Sequence, residues 1–205
     1  LFLKKFGNVT GFDISEEALS FSGDKGFSKL VLGRAEKLPF TEGSFDIVSA
    51  LDCIEHIEDD EAALQEAYRV LKDGGTLLLT VPSHPWLWSR HDEALHHKRR
   101  YTKNELQRKV RDAGFGIQEM SHFVIPAIPF LLLQKNIRRI KKTLFLNRAE
   151  IIDTYDVILP RFLNNALIAW LALEQVAMRY IPIPFGSSLV VVAKKRATVS
   201  KAIIL

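Results

Sequence analysis

Residues 44–83, SFDIVSALDCIEHIEDDEAALQEAYRVLKDGGTLLLTVPS, carry the pattern from which the fold can be read. SFDIVSAL (44–51) is a short apolar run of strand type. DDEAALQEAYRVLK (59–72) sets Ala63, Leu64, Ala67, Val70 and Leu71 on one stripe, which predicts a helix. Asp73-Gly74-Gly75 is expected to stop that helix, and TLLLTVP (76–82) reads as a buried strand. Upstream, NVTGFDI (8–14) predicts a strand ending at Asp13, SEEALSFS (15–22) a helix capped by Ser15, and KLVLG (29–33) another strand. Downstream, TKNELQRKVRDAG (102–114) predicts a helix from Thr102 to Gly114, followed by the strand FGIQEMSHF (115–123). A long helix that is apolar on most faces is expected over 160–180, and a last strand over 187–195. Strands alternating with helices imply an α/β fold with a mostly parallel sheet. Ligands on such sheets bind beyond the carboxyl ends of the strands. That rim holds Asp13 and the segments 33–40, 51–56 and 83–100.

The 205 residues are 47% hydrophobic and 25% charged, which excludes a disordered or low-complexity chain. The single cysteine, Cys53, excludes an intrachain disulfide and fits a reducing compartment; a core thiol is expected there. No apolar run reaches the ~20 residues of a membrane-spanning helix. The opening LFLKKFGNVTGFD is too polar for a secretory signal, so a cytoplasmic protein is expected. Charge is uneven: residues 1–122 hold 16 Lys/Arg against 20 Asp/Glu, residues 123–205 hold 12 against 4. A basic C-terminal third either faces an anionic partner or is a solvated face.

Taken in order, VTGFDIS, the segment AEKLPFTEGSFDIVSALDCIEHIEDDEAALQEAYRVLKDGGTLLLTVPS (35–83) and RRYTKNELQRKVRDAGF resemble the class I S-adenosylmethionine-dependent methyltransferases, in particular the type 11 group. The resemblance covers most of residues 8–123. It implies a Rossmann-like sheet and S-adenosyl-L-methionine as cofactor. It places Asp13 on the cofactor ribose, Ile14 on the adenine, Ala35 and Glu36 in the adenine-side loop, and Leu51 and Asp52 beside the methionine part. Glu55 and His56 match the family's Glu-His pair.

Two departures stand out. Arg34 occupies the position where the family carries an Asp that accepts the adenine amino group, and a guanidinium cannot accept a hydrogen bond. The family's glycine-rich loop should precede Asp13 by about twenty residues, and its close backbone approach depends on glycine. Only Gly7 and Gly11 lie before Asp13. The expectation is therefore a fragment lacking the first strand, which would belong between the strands at 8–13 and 44–51, and binding the cofactor poorly.

The segment HPWLWSRHDEALHHKRRYT (84–102) gathers His84, His91, His96, His97, Asp92, Glu93 and Tyr101. A His oriented by a carboxylate can act as a base near neutral pH. His56, His97 and Tyr101 are the expected acceptor-side residues, His97 the expected base. No metal is expected, because His91, His96 and His97 lack companion ligands at a common spacing. Trp86 and Trp88 either line an apolar wall or anchor the loop; Arg99 and Arg100 either clamp an anion or face solvent. The DNA amino-methylating motif is absent, so nucleic acid is not expected as substrate. The acceptor expected is a small or lipid-linked molecule methylated on O or N; the alternative is a non-catalytic binding module of the same fold.

The expected organisation is a methyltransferase core over 1–123, a helical insertion over 124–186, the last strand of the core over 187–196 and a tail over 197–205. Within the insertion, apolar residues from Phe123 to Leu133 adjoin six basic residues between Lys135 and Arg148. Residues 124–180 therefore either lie against the inner face of a membrane or form packing surface.

Overall fold

The structure, a computed structural model, describes residues 5, 7–129, 131–132 and 160–196. Strand β1 (Gly11–Asp13) leads into α1 (Glu16–Asp24) and β2 (Leu30–Leu32). Next come β3 (Phe45–Leu51), a 3-10 turn (Ile54–His56), α2 (Asp60–Val70) and β4 (Leu71–Pro82). A second 3-10 turn (Pro85–Leu87), α3 (Arg90–Ala94), α4 (Lys103–Asp112), β5 (Phe115–Phe123), α5 (Arg161–Met178) and β6 (Ser188–Lys195) complete the described elements. The Rossmann-like α/β class expected from the sequence is what the chain adopts.

The strands form two sheets. β1 and β2 pair in parallel, and the larger sheet has the order β3-β4-β6-β5. β3 runs parallel to β4, while β6 is antiparallel to both of its neighbours. β1 and β3 are not hydrogen-bonded to each other, and Ile47 and Leu51 on β3 are 60% and 50% exposed. The two sheets are joined by side chains instead. Phe40 stands edge-on to Phe12 at 5.9 Å and to Phe45 at 4.9 Å. Arg69 on α2 donates to the carbonyls of Leu38 and Phe40, and Glu66 accepts from the Leu38 amide.

Local signals in the sequence account for most element ends. Ser15 Oγ accepts from the Ala18 amide, and Thr102 forms a capping box with Glu105. Gly114 follows α4 with φ of 103°, a left-handed conformation that suits glycine. A Cβ there would also stand 2.8 Å from the Tyr68 ring. One boundary differs from expectation. α2 ends at Val70, and Leu71 is already extended, rather than the helix running to Asp73. Leu71 is fully buried and pairs with Phe45, so tertiary packing pulls it into the strand.

The core lies on the α2/α4 side of the larger sheet: Leu64, Leu77, Leu79, Val81, Leu106, Val110, Phe115, Leu189 and Val191 are buried together. α5 contrasts with this. Only Glu174 is buried on it, whereas Phe162, Ile168, Trp170 and Leu173 are 70%, 58%, 52% and 70% exposed. No helix among the described residues is long and apolar enough to cross a membrane. The basic residues between Lys135 and Arg148, the tail from residue 197 and the start of the chain (apart from Lys5) lie outside the described residues.

A buried polar node fastens α2 to α4. Asp60 accepts from Tyr101 Oη at 2.7 Å and Lys109 Nζ at 2.8 Å, with Arg99 at 3.2 Å. Burial alone would raise the Asp60 pKa; the hydrogen bonds from Lys109 and Tyr101, with the Lys109 and Arg99 charges, outweigh it and hold the carboxyl below its usual value. The stability this provides is present above the unfolded-state pKa and is lost as pH falls through the folded one. Asp60→Asn should therefore lower Tm at pH 7 and lose less further stability than wild type on acidification below pH 4. Thermal melts at stepped pH check this; parallel profiles for the two proteins would contradict it.

Candidate functional site

Parallel strands bring the chain ends expected to bear chemistry to one rim. Asp13 ends β1, with its Oδ1 accepting from the Ser15 amide at 2.8 Å. Ile14 beside it is 63% exposed. Ala35 and Glu36 follow β2 in a turn closed by the Lys37 amide on the Arg34 carbonyl. The Arg34 guanidinium pairs with Glu36 at 2.7 Å, so the departure at position 34 occupies the neighbouring carboxylate. Leu51 and Asp52 end β3; Asp52 has φ of 47°, and its amide is shared by the Thr80 carbonyl and Oγ1. Left-handed conformations at non-glycine residues cluster at functional turns.

Cys53 follows, on the surface rather than in the core. Desolvation of the thiol, then the Glu55 and Asp13 charges, push its pKa up to about 11, so it is protonated at neutral pH and a poor nucleophile. The Asp13 contribution also shows that the β1 end and the β3 end share one electrostatic neighbourhood.

The centre of the site is built by the 3-10 turn and the segment after α3. Glu55 is fully buried, and neither carboxylate oxygen has a hydrogen-bond partner among the described residues. Burial, then the Asp52 and Asp92 charges, outweigh the influence of its own backbone amide and push Glu55 up to about 7. His97 Nε2 stands 4.0 Å from Glu55 Oε1, and the His97 ring meets the His56 ring edge-on at 4.7 Å. Burial and the neighbouring His97 lower the pKa of His56, against a backbone hydrogen bond to His96.

Asp92 orients His97. This carboxylate is fully buried and accepts from Ser89 N (2.8 Å), Ser89 Oγ (3.0 Å) and Arg100 Nε (2.7 Å). It also faces His97 Nδ1 at 3.0 Å. Arg100 has a second bond, to the Ser83 carbonyl at 3.1 Å. In the neutral imidazole, an ionised Asp92 sets the proton on Nδ1 and leaves Nε2 with its lone pair.

The structure thus brings His56 and His97 together and adds Glu55 as the group they face. Tyr101 does not join them: it is fully buried, and its hydroxyl is committed to Asp60. Arg99 and Arg100 form no open clamp, being tied to Glu58 and Asp60 and to Asp92 and Ser83 respectively. Trp86 is 47% exposed and stacks with Phe185 at 6.4 Å. His84 and His122 stack nearby at 5.0 Å, and burial lowers both pKa values.

One feature escapes sequence reasoning. A cleft of about 560 Å³ lies between α5 and the larger sheet, lined by Thr80, Phe123, Ile168, Leu171, Met178 and Val190 among others. Its only charged lining group among the described residues, Glu174, accepts from the Ile125 amide at 3.3 Å. Thr80 links the cleft to the site, because the same side chain holds the Asp52 amide. The apolar faces expected over 160–180 indicate a helix that is either buried or meets lipid, and say nothing of a cleft beneath it.

Comparison with known proteins agrees with this geometry. Residues 1–79 match the family described as "Methyltransferase domain", which bears out the resemblance read from the sequence. Demethylmenaquinone methyltransferase of Staphylococcus aureus (strain JH9) is 41% identical over 85 residues, which are 40% of this chain and 35% of that protein. The chain thus spans about a third of the length of the curated relatives it matches. Among solved structures, a SAM-dependent methyltransferase from Thermotoga maritima superposes with a TM-score of 0.57 at 21% identity, over 95% of this chain and 76% of that one. Phosphoethanolamine N-methyltransferase 2 of Haemonchus contortus, in complex with S-adenosyl-L-methionine, gives 0.56 at 21% identity, over 95% and 45%. The fold is that of the methyltransferases.

Asp92→Ala leaves the Arg100 guanidinium buried without its partner. The expected cost is about 3–5 kcal/mol, read by urea unfolding at neutral pH. Glu93→Ala on the exposed side of α3 should stay within about 0.5 kcal/mol; equal effects of the two would remove Asp92 from its orienting role.

Proposed function

We propose that the protein transfers a methyl group from S-adenosyl-L-methionine to the oxygen or nitrogen of a small or lipid-linked acceptor. The observation that carries this is the shared rim: Asp13, the 35–36 turn and Leu51–Asp52 end parallel strands beside the Glu55/His56/His97 cluster. A carboxylate after a strand, such as Asp13, suits a ribose diol. The sulfonium supplies an activated methyl group, so the chain has to position the acceptor in line with it and keep water away. His97 presents Nε2, with its lone pair, on the acceptor side, and Asp92 keeps that nitrogen aimed. The apolar cleft under α5 supports a lipid-linked acceptor, since its lining offers an alkyl chain contact and little polarity.

A non-catalytic binding module of the same fold is the second reading. The observation favouring it is Arg34, whose guanidinium stands where adenine recognition asks for an acceptor. Fold by itself does not separate the two readings. Binding and turnover of the native protein do. Asp13→Ala should weaken S-adenosylhomocysteine binding by about 1.5–3 kcal/mol, the scale of a hydrogen bond to a charged group. His97→Ala should lower turnover with little change in that affinity. Calorimetry showing NAD bound in preference to S-adenosylhomocysteine would sink the methyl-transfer reading; cofactor binding without turnover would leave the module.

Membrane association follows from the same chain. The exposed apolar residues of α5 can lie in a lipid interface, and six basic residues between Lys135 and Arg148 can meet anionic headgroups. Each contributes about 1 kcal/mol near such a surface. Binding to anionic vesicles should weaken as salt rises from roughly 50 to roughly 500 mM, as the Debye length shrinks to a few Å. Replacing Arg138, Arg139, Lys141 and Lys142 with Gln should abolish it in a sedimentation assay. Wild type remaining in the supernatant at low salt would make this region packing surface.

A further inference from the structure

We infer that Glu55, His56 and His97 form a binding site for a divalent transition-metal cation of the zinc class. One ligand atom from each of these three residues lies within 4.8 Å of the others. Two imidazoles and one carboxylate are a donor set that suits zinc and its neighbours, with a further position left for water or a ligand.

Three independent observations support the assignment. Glu55 is fully buried, and both its oxygens lack a partner among the described residues. Buried carboxylates without compensation are rare, and a cation held between this one and the two imidazoles would supply it. Next, His97 has an outer oxygen at its far side: Asp92 Oδ1 lies 3.0 Å from His97 Nδ1. Metal-binding histidines are oriented in this way, their second nitrogen held so that the first points at the ion. Finally, exposure is graded across the cluster, with Glu55 buried, His97 half-buried and His56 exposed, which gives a cation an approach past His56.

Ligand atoms around a zinc-sized ion stand about 3–3.5 Å apart, so the three donors must draw in by about 1 Å. His56 can make that movement, lying on a short 3-10 turn with its ring at the surface. With a cation on Nε2, His97 acts as a ligand rather than a base. His91 and His96, whose side chains are exposed, supply no ligand to this site.

The site stands or falls apart from the methyl-transfer reading, because the test needs no turnover. Chelator-stripped protein is titrated with zinc chloride by calorimetry, and cobalt(II) absorption reports the ligand set. One saturable zinc site is expected. Glu55→Gln, His56→Ala and His97→Ala should each weaken it by about 10- to 100-fold. A His91→Ala/His96→Ala double variant and Cys53→Ser should bind as wild type does. Circular dichroism of each metal-free variant separates lost binding from lost folding. Should His97→Ala not fold, Glu55→Gln, nearly identical in shape, still decides. Absence of saturable binding, or binding that survives Glu55→Gln and is lost in the His91/His96 variant, overturns the proposal. S-adenosylhomocysteine is titrated separately, so failure of one reading is distinguishable from failure of the other.

Discussion

A single buried carboxylate, that of Asp92, holds the loop between β4 and α4 in its working shape. It ties together Ser89, His97 and Arg100, which otherwise belong to different turns of that loop. Arg100 passes the constraint to the Ser83 carbonyl, and Ser83 Oγ passes it to the Gly186 carbonyl just ahead of β6. The loop is thereby fastened to the sheet at both ends. Burial works against the Asp92 charge, yet its donors hold the pKa below the usual value. Charge-assisted hydrogen bonds are the strong ones, and here they set the direction in which an imidazole points.

The arrangement splits rigid from adaptable parts. The α2/α4 side is closed by leucines, by Phe115 and by the Asp60 node. The rim side is lined with exposed Ile14 and Leu51 and with exposed Asp52 and His56. Across the sheet, α5 leaves Phe162, Trp170 and Leu173 exposed, lines the cleft with Ile168, Leu171 and Met178, and anchors through Glu174 to the Ile125 amide. Cleft and cluster therefore border the same strand end while sitting on different kinds of support.

What could be read from the sequence was whatever local chemistry fixes. Ser15, Thr102 with Glu105, and Gly114 mark helix ends by capping rules, and the structure uses each of them. The strand over 115–123 falls where alternation puts it. The loop offered Asp92 and Glu93 alike as carboxylates able to orient a histidine, and folding selects Asp92, 3.0 Å from His97 Nδ1. The misplaced items depend on tertiary contact. Leu71 leaves its helix early because Phe45 and the core claim it, a pull invisible to a 3.6-residue pattern. Tyr101 reads as a site hydroxyl until Asp60, 41 residues away, accepts its hydrogen bond. Glu55 reads as one half of a Glu-His pair, and only folding shows that it is sealed in without a donor. Cys53, short and apolar in sequence terms, ends outside because the turn after β3 carries it there.

β6 sits between β4 and β5 although it follows both in the chain. Its pairings, Leu79 with Val191 and Met120 with Val191 among them, span sequence separations of about 70 to 110 residues. On a ribosome, β4 and β5 emerge with facing edges that cannot satisfy one another, and each waits for a strand made after both. Until residues 188–195 arrive, the buried faces of Leu77, Leu79 and Phe115 have no middle partner to close over them. Late-closing, long-range topologies of this kind fold slowly and expose strand edges meanwhile. The β4 and β5 edges that face each other stay open until residues 188–195 pair, and β6 is the strand that closes both.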